Sequence, residues 1–89
     1  MQEAGEADDI RAAALALLAA RAPGATVCPS EVARAVAAAS GTADWRGGMP
    51  AVHAAIDSLV ADGAVRLSWK GAALPARDGP YRIGPADGR

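Results

Sequence analysis

The chain has 89 residues, the size of one domain, and 52% of them are hydrophobic. Phe is absent and aromatic residues make up 3%, so the core must come from Leu, Ile, Val, Ala and the two Trp, which suits close-packed helices better than a β-sandwich. A net charge of −1 argues against strong unspecific attraction to polyanions, one Cys excludes an internal disulfide, and the longest apolar run, Ala12 to Ala20, falls short of the roughly 20 residues that cross a bilayer.

No basic start followed by an apolar run and a small-residue cleavage site occurs. The expectation is a cytoplasmic protein of a reducing compartment, most simply a bacterial cytosol, with no membrane association. The charge is unevenly spread. Glu3, Glu6, Asp8 and Asp9 crowd the first nine residues. From Ile10 to Ala86 there are eight positive and five negative side chains, a net +3. Gly63 to Pro85 alone holds four positive and one negative, so the excess sits in the C-terminal third.

Residues 1–7 are polar and read as a disordered acidic tail, residues 8–85 as the domain, and residues 86–89 as a second tail. Asp8 or Asp9 suits the N-terminus of a first helix near 9–22. There Ile10, Ala13, Ala14, Leu17 and Leu18 recur at helical spacing. Pro23 and Gly24 end it. Ala25-Thr26-Val27 has some strand character. Cys28-Pro29-Ser30-Glu31 opens a second helix near 29–39, with Pro29 at its first position and Glu31 at the third. Val32, Ala33, Val36 and Ala37 form its buried face.

Asp44 caps a short turn over Trp45 to Gly48. A third helix near 49–62 starts at Met49-Pro50, because a Pro deeper inside would break it. Its apolar stripe is Met49, Val52, Ile56, Leu59 and Val60, and Gly63 ends it. From Ala64 the period changes to two: Val65, Leu67 and Trp69 point one way, Arg66, Ser68 and Lys70 the other. The spacing predicts a strand near 64–70, a loop over 71–79 and a return strand near 80–84. Leu17, Leu18, Val32, Val36, Val52, Ile56 and Leu59 are the predicted shared core. Helix, short strand, helix, helix and hairpin is the order of a winged helix-turn-helix. The predicted class is α+β and mainly helical, with three helices and a two-stranded C-terminal wing.

Three blocks carry a resemblance: Val27-Cys28-Pro29-Ser30-Glu31-Val32-Ala33-Arg34, Trp45-Arg46-Gly47-Gly48-Met49-Pro50-Ala51-Val52, and Gly79-Pro80-Tyr81-Arg82-Ile83. With them the chain resembles a family of small bacterial proteins known only as a domain of unknown function, over roughly residues 10–84. The resemblance implies a winged-helix-like fold and supplies no activity. Some relatives carry a Cys-rich segment that this chain lacks. His53 stands where the family pattern has Arg, which weakens a basic third helix. Trp69 stands where it has a polar residue, which sets an apolar ring beside the wing.

The chemistry-bearing residues are few. Cys28 lies at a helix start, where amide dipoles lower a thiol pKa, but without a His close by it reads as a small capping residue. One Cys and one His fall short of a structural zinc site. His53, on the flank of the third helix's stripe, is either a phosphate ligand or a boundary histidine with one hydrogen bond. Arg46 either meets a phosphate or pairs with Asp44 or Glu31. No nucleophile, base and orienting acid can be assembled, and Gly47-Gly48 lacks phosphate-loop spacing. The expectation is a protein that is not an enzyme and takes no cofactor, metal or small-molecule ligand.

The outer face of the third helix would be Ala51, Ala54, Asp57, Ser58 and Ala61. It offers none of the side chains that read base edges. The hairpin region differs, since Arg66, Lys70, Arg77 and Arg82 can meet phosphates or simply solvate a strand edge. Modest binding of duplex DNA, led by the wing with Arg46 and His53 as further contacts, is the first expectation. A protein-interaction module, for example a homodimer through the third helix, is the alternative.

Overall fold

The computed structural model describes residues 2–86, with side chains from Ala7 onward. The chain forms α1 (Gln2–Ala20), α2 (Pro29–Ser40), a 3₁₀ turn (Arg46–Gly48), α3 (Met49–Ala61), β1 (Val65–Trp69), β2 (Ala72–Leu74) and β3 (Arg82–Pro85). This is mixed α+β, mainly helical, as the periodicities predict. Two boundaries of α1 differ from those expected of the sequence. It begins at Gln2 rather than near residue 9, so it takes in the segment read as a tail. It stops at Ala20, because Pro23 bars the residues just before it from continuing a helix. The C-terminal tail, beyond Ala86, lies outside the described residues. Among the described residues no helix is long and apolar enough to cross a membrane.

Local chemistry sets the ends of α2. The Cys28 amide donates to Glu31 Oε1 at 2.9 Å, the return half of a capping box. Gly41 closes the helix in the left-handed region, at φ 75°, and its amide donates to the Ala38 carbonyl. An ion pair of Arg21 with Glu31 ties the end of α1 to the start of α2. Asp44 does cap the next stretch: its Oδ1 accepts the Gly47 amide at 3.1 Å.

The sheet has three strands in the order β2-β1-β3, all antiparallel. The expected two-stranded wing is thus corrected. Residues 72–74, expected as loop, return along β1 with Leu67 opposite Leu74 and Trp69 opposite Ala72. The turn between them is two residues, Lys70 at φ 51° and Gly71 at φ 83°. Both are left-handed, the requirement of the tight hairpin turn whose twist matches its strands. Ala72 and Ala73 carry little strand propensity of their own, so pairing rather than local preference makes β2.

Val27 adds a further rung. Its amide donates to the Ile83 carbonyl and the Ile83 amide donates back, both at 2.8 Å. The core gathers where the three helices and the sheet meet: Ile10, Val27, Val32, Val52, Ile56 and Ile83 are its fully buried large side chains. Of the predicted core, Val32, Val52, Ile56 and Leu59 are buried. Leu17, Leu18 and Val36 are only half-buried against it, a correction with a geometric cause. Leu17 and Leu18 lie on the last turns of α1, beyond Ile10 and Ala14, which are the positions of that helix buried in the core. Val36 opens onto a groove of about 320 Å³ between α2, the 3₁₀ turn and α3.

Candidate nucleic-acid interface

The six residues singled out in the sequence fall into three different settings. Arg66 and Lys70 are exposed. Among the described residues neither has an ion-pair or side-chain hydrogen-bond partner. Lys70 does not continue the outward face of β1, because the left-handed turn ends the alternation at Trp69. Arg66 shares the outer sheet face with Ser68 and Arg82, as the pairing of Ser68 with Arg82 requires.

Arg77 and Arg82 are engaged within the chain. Arg77 donates to both carboxylate oxygens of Asp57 on α3, from Nε at 2.7 Å and Nη2 at 2.8 Å. Those hydrogen bonds hold the Asp57 carboxyl below its usual range. Arg82 donates from Nε to Thr26 Oγ1 at 2.7 Å and from Nη2 to the Thr26 carbonyl at 3.2 Å. It fastens β3 to the segment before α2 and keeps its charge, since neither acceptor is anionic. Its charge also reaches the Cys28 thiol. Burial pushes that thiol up, but hydrogen bonding with Ser30, whose Oγ is 3.1 Å away, and the Arg82 charge leave it below its ordinary value.

Arg46 and His53 belong to two side-chain clusters. The Arg46 guanidinium lies 4.4 Å from the centre of the Trp45 ring, and that of Arg34 lies 4.5 Å from it. Neither pairing of Arg46 with Asp44 or Glu31 forms. Cation–π contact takes their place. Sequence reasoning misses Arg34. Its position on the exposed side of α2 is readable, but its neighbour Trp45 is eleven residues away across a turn. The second cluster joins His53 to Tyr81, with Nδ1 and Oη 2.7 Å apart. His53 is thus bound to a phenol rather than free for phosphate through that nitrogen. Burial raises the Tyr81 hydroxyl to about 12.

His53 reports on this arrangement. Burial lowers its pKa, the Arg77 charge lowers it further, and Asp57 opposes both. A folded pKa below the unfolded one favours the neutral ring. The associated stability is fully present above the ordinary imidazole value of about 6.5 and is lost as pH falls through the folded value. As the only His, its ring protons give a single resonance set. Arg77→Gln is expected to raise its pKa and Asp57→Asn to lower it, each read by NMR titration. Shifts of one sign for both variants would show that the charges are not arranged around His53 in this way.

The exposed face of α3 is narrower than its sequence suggests. Ser58 accepts a hydrogen bond from Arg11 of α1 at 3.3 Å, and Ala51 and Ser58 are half-buried. Arg77 lies against Asp57 from the other side. Ala54, Asp57 and Ala61 remain exposed.

Three helices with a turn between the second and third, followed by an antiparallel sheet, define a winged-helix-like protein with a basic hairpin. The chain belongs to the family described as "Protein of unknown function (DUF3253)", which matches residues 7–86. No match is found among curated proteins.

Proposed function

We propose that this protein binds nucleic acid with modest affinity through its hairpin wing, with α3 contributing little reading of base sequence, and that it has no catalytic role. The observation that carries this reading is a contrast. Arg66 and Lys70 are exposed without an acidic partner, while Asp57 on α3 is neutralised by Arg77 and its neighbours are alanines. Phosphate contacts of this kind position a protein on a polyanion without specifying sequence. No acidic residue occurs between Asp62 and Asp78, so the hairpin presents a field of one sign.

Arg66→Gln combined with Lys70→Asn tests it. Asn is a favoured residue at the first position of such a turn, so the hairpin is kept while its charge is removed. Titrated by anisotropy against unrelated DNA duplexes, the double variant is expected to weaken all of them by a similar factor. The log–log salt slope should flatten by about 0.9 for each phosphate that is no longer neutralised. Stability should change by less than about 1 kcal/mol, because both charges are exposed. Unchanged binding at every salt concentration would remove the wing from the interface. A parent that binds no DNA at low salt, yet grows in mass with concentration, would be a self-associating module instead.

A further inference from the structure

The hairpin tip carries one feature that phosphate binding does not use. Trp69 is 39% exposed, and the other large exposed apolar side chain, Leu15, lies far from it in sequence on α1. An exposed leucine on a helix is ordinary. An indole more than a third exposed at the end of a strand is a sizeable apolar surface open to water. Its cross-strand neighbour is Ala72, too small to cover it. It takes no part in the core cluster.

The tip is also held in one shape. The two-residue turn places Lys70 directly after Trp69, with both turn residues at positive φ. A left-handed lysine is unusual, since Asn or Gly adopts that conformation at lower cost. The fold thus holds a cation next in sequence to a partly exposed aromatic ring on a short, tightly turned hairpin.

We infer that the wing tip is a stacking site for an unpaired nucleobase. Trp69 supplies the platform and the Lys70 ammonium meets the adjoining phosphate. The inference rests on the nucleic-acid reading above and narrows its partner to single strands and frayed ends. A base inside an intact duplex has both faces stacked and offers none to the ring. Every base has a π-face, so such a site tolerates sequence, in keeping with an α3 that presents alanines. Charge complementarity selects this occupant over a second copy, whose matching tip would carry the same positive charge.

The test uses the full chain, a labelled oligothymidylate and a duplex whose two ends are closed by non-nucleotide linkers, with the same number of phosphates. Trp69→Leu is expected to weaken oligothymidylate binding by about tenfold or more and to leave duplex binding nearly unchanged. Trp69→Phe, which keeps an aromatic face, should retain most of the affinity. Tryptophan emission should fall on oligothymidylate binding in the parent and stay constant in Trp69→Phe, where Trp45 alone reports. Unchanged oligothymidylate binding by Trp69→Leu, or equal weakening for both DNAs, overturns the stacking site while wing-led binding stands. A parent that binds neither DNA overturns both. Self-association that depends on Trp69, without DNA binding, assigns the tip to a second copy and also overturns it.

Discussion

Ile56→Ala is expected to lower the free energy of unfolding by about 2–5 kcal/mol, read as a shifted midpoint in a denaturant melt. Ile56 is completely buried at the middle of α3, between Val52 and Leu59 on the same face. Removing its branched side chain deletes apolar packing and leaves a cavity that rigid helix backbones cannot close. A domain of 89 residues has roughly 4–13 kcal/mol in total at the usual stability per residue. The substitution therefore removes a large fraction and brings the melt close to ambient conditions. A drop under about half a kcal/mol, well below the range for buried Ile, would mean that the stripe is not the core.

Ile83→Ala is expected to cost a similar amount, about 2–5 kcal/mol, with a different structural consequence. Ile83 is also completely buried, and β3 is paired on both sides at this residue: Leu67 of β1 lies opposite on one side and Val27 on the other. Its backbone makes both hydrogen bonds to Val27. A smaller side chain there loosens β3 and the segment that leads into α2 together. Hydrogen exchange should show the Val27 amide losing protection along with that of Ile83, whereas Ile56→Ala should leave the two protected until global unfolding. Independent behaviour of the Val27 and Ile83 amides would count against this coupling.

These two isoleucines separate what is readable along the chain from what is not. Ile56 announces itself through helical period, because each residue of the stripe is a local neighbour of the next. Ile83 sits in a strand of four residues, Arg82–Pro85, that follows Gly79-Pro80 and itself contains Gly84 and Pro85. Its burial depends on Val27, 56 residues away. The same distinction applies to the cations. Four positive charges in the hairpin region are countable, but their duties are not. Arg77 reaches Asp57 across 20 residues and Arg82 reaches Thr26 across 56. A composition count gives all four equal weight, and only chain topology separates the engaged pair from Arg66 and Lys70.

By itself the sequence determined the three helices, the starts of the second and third, the switch to alternation after Gly63 and hence the winged-helix order. All of these follow from interactions within a few residues: capping at Cys28 and Glu31, Pro and Gly punctuation, and amphipathic period. Tertiary structure alone decided the rest. It made a strand of Ala72-Ala73-Leu74 by pairing them with β1, against their propensity. It left Leu17 and Leu18 half-covered on the last turns of α1, beyond the buried Ile10 and Ala14. It narrowed the exposed face of α3 with a salt bridge from the wing and bonded His53 to Tyr81. Each of these is a contact between segments distant along the chain, and no local pattern of residue types encodes which distant partner will arrive.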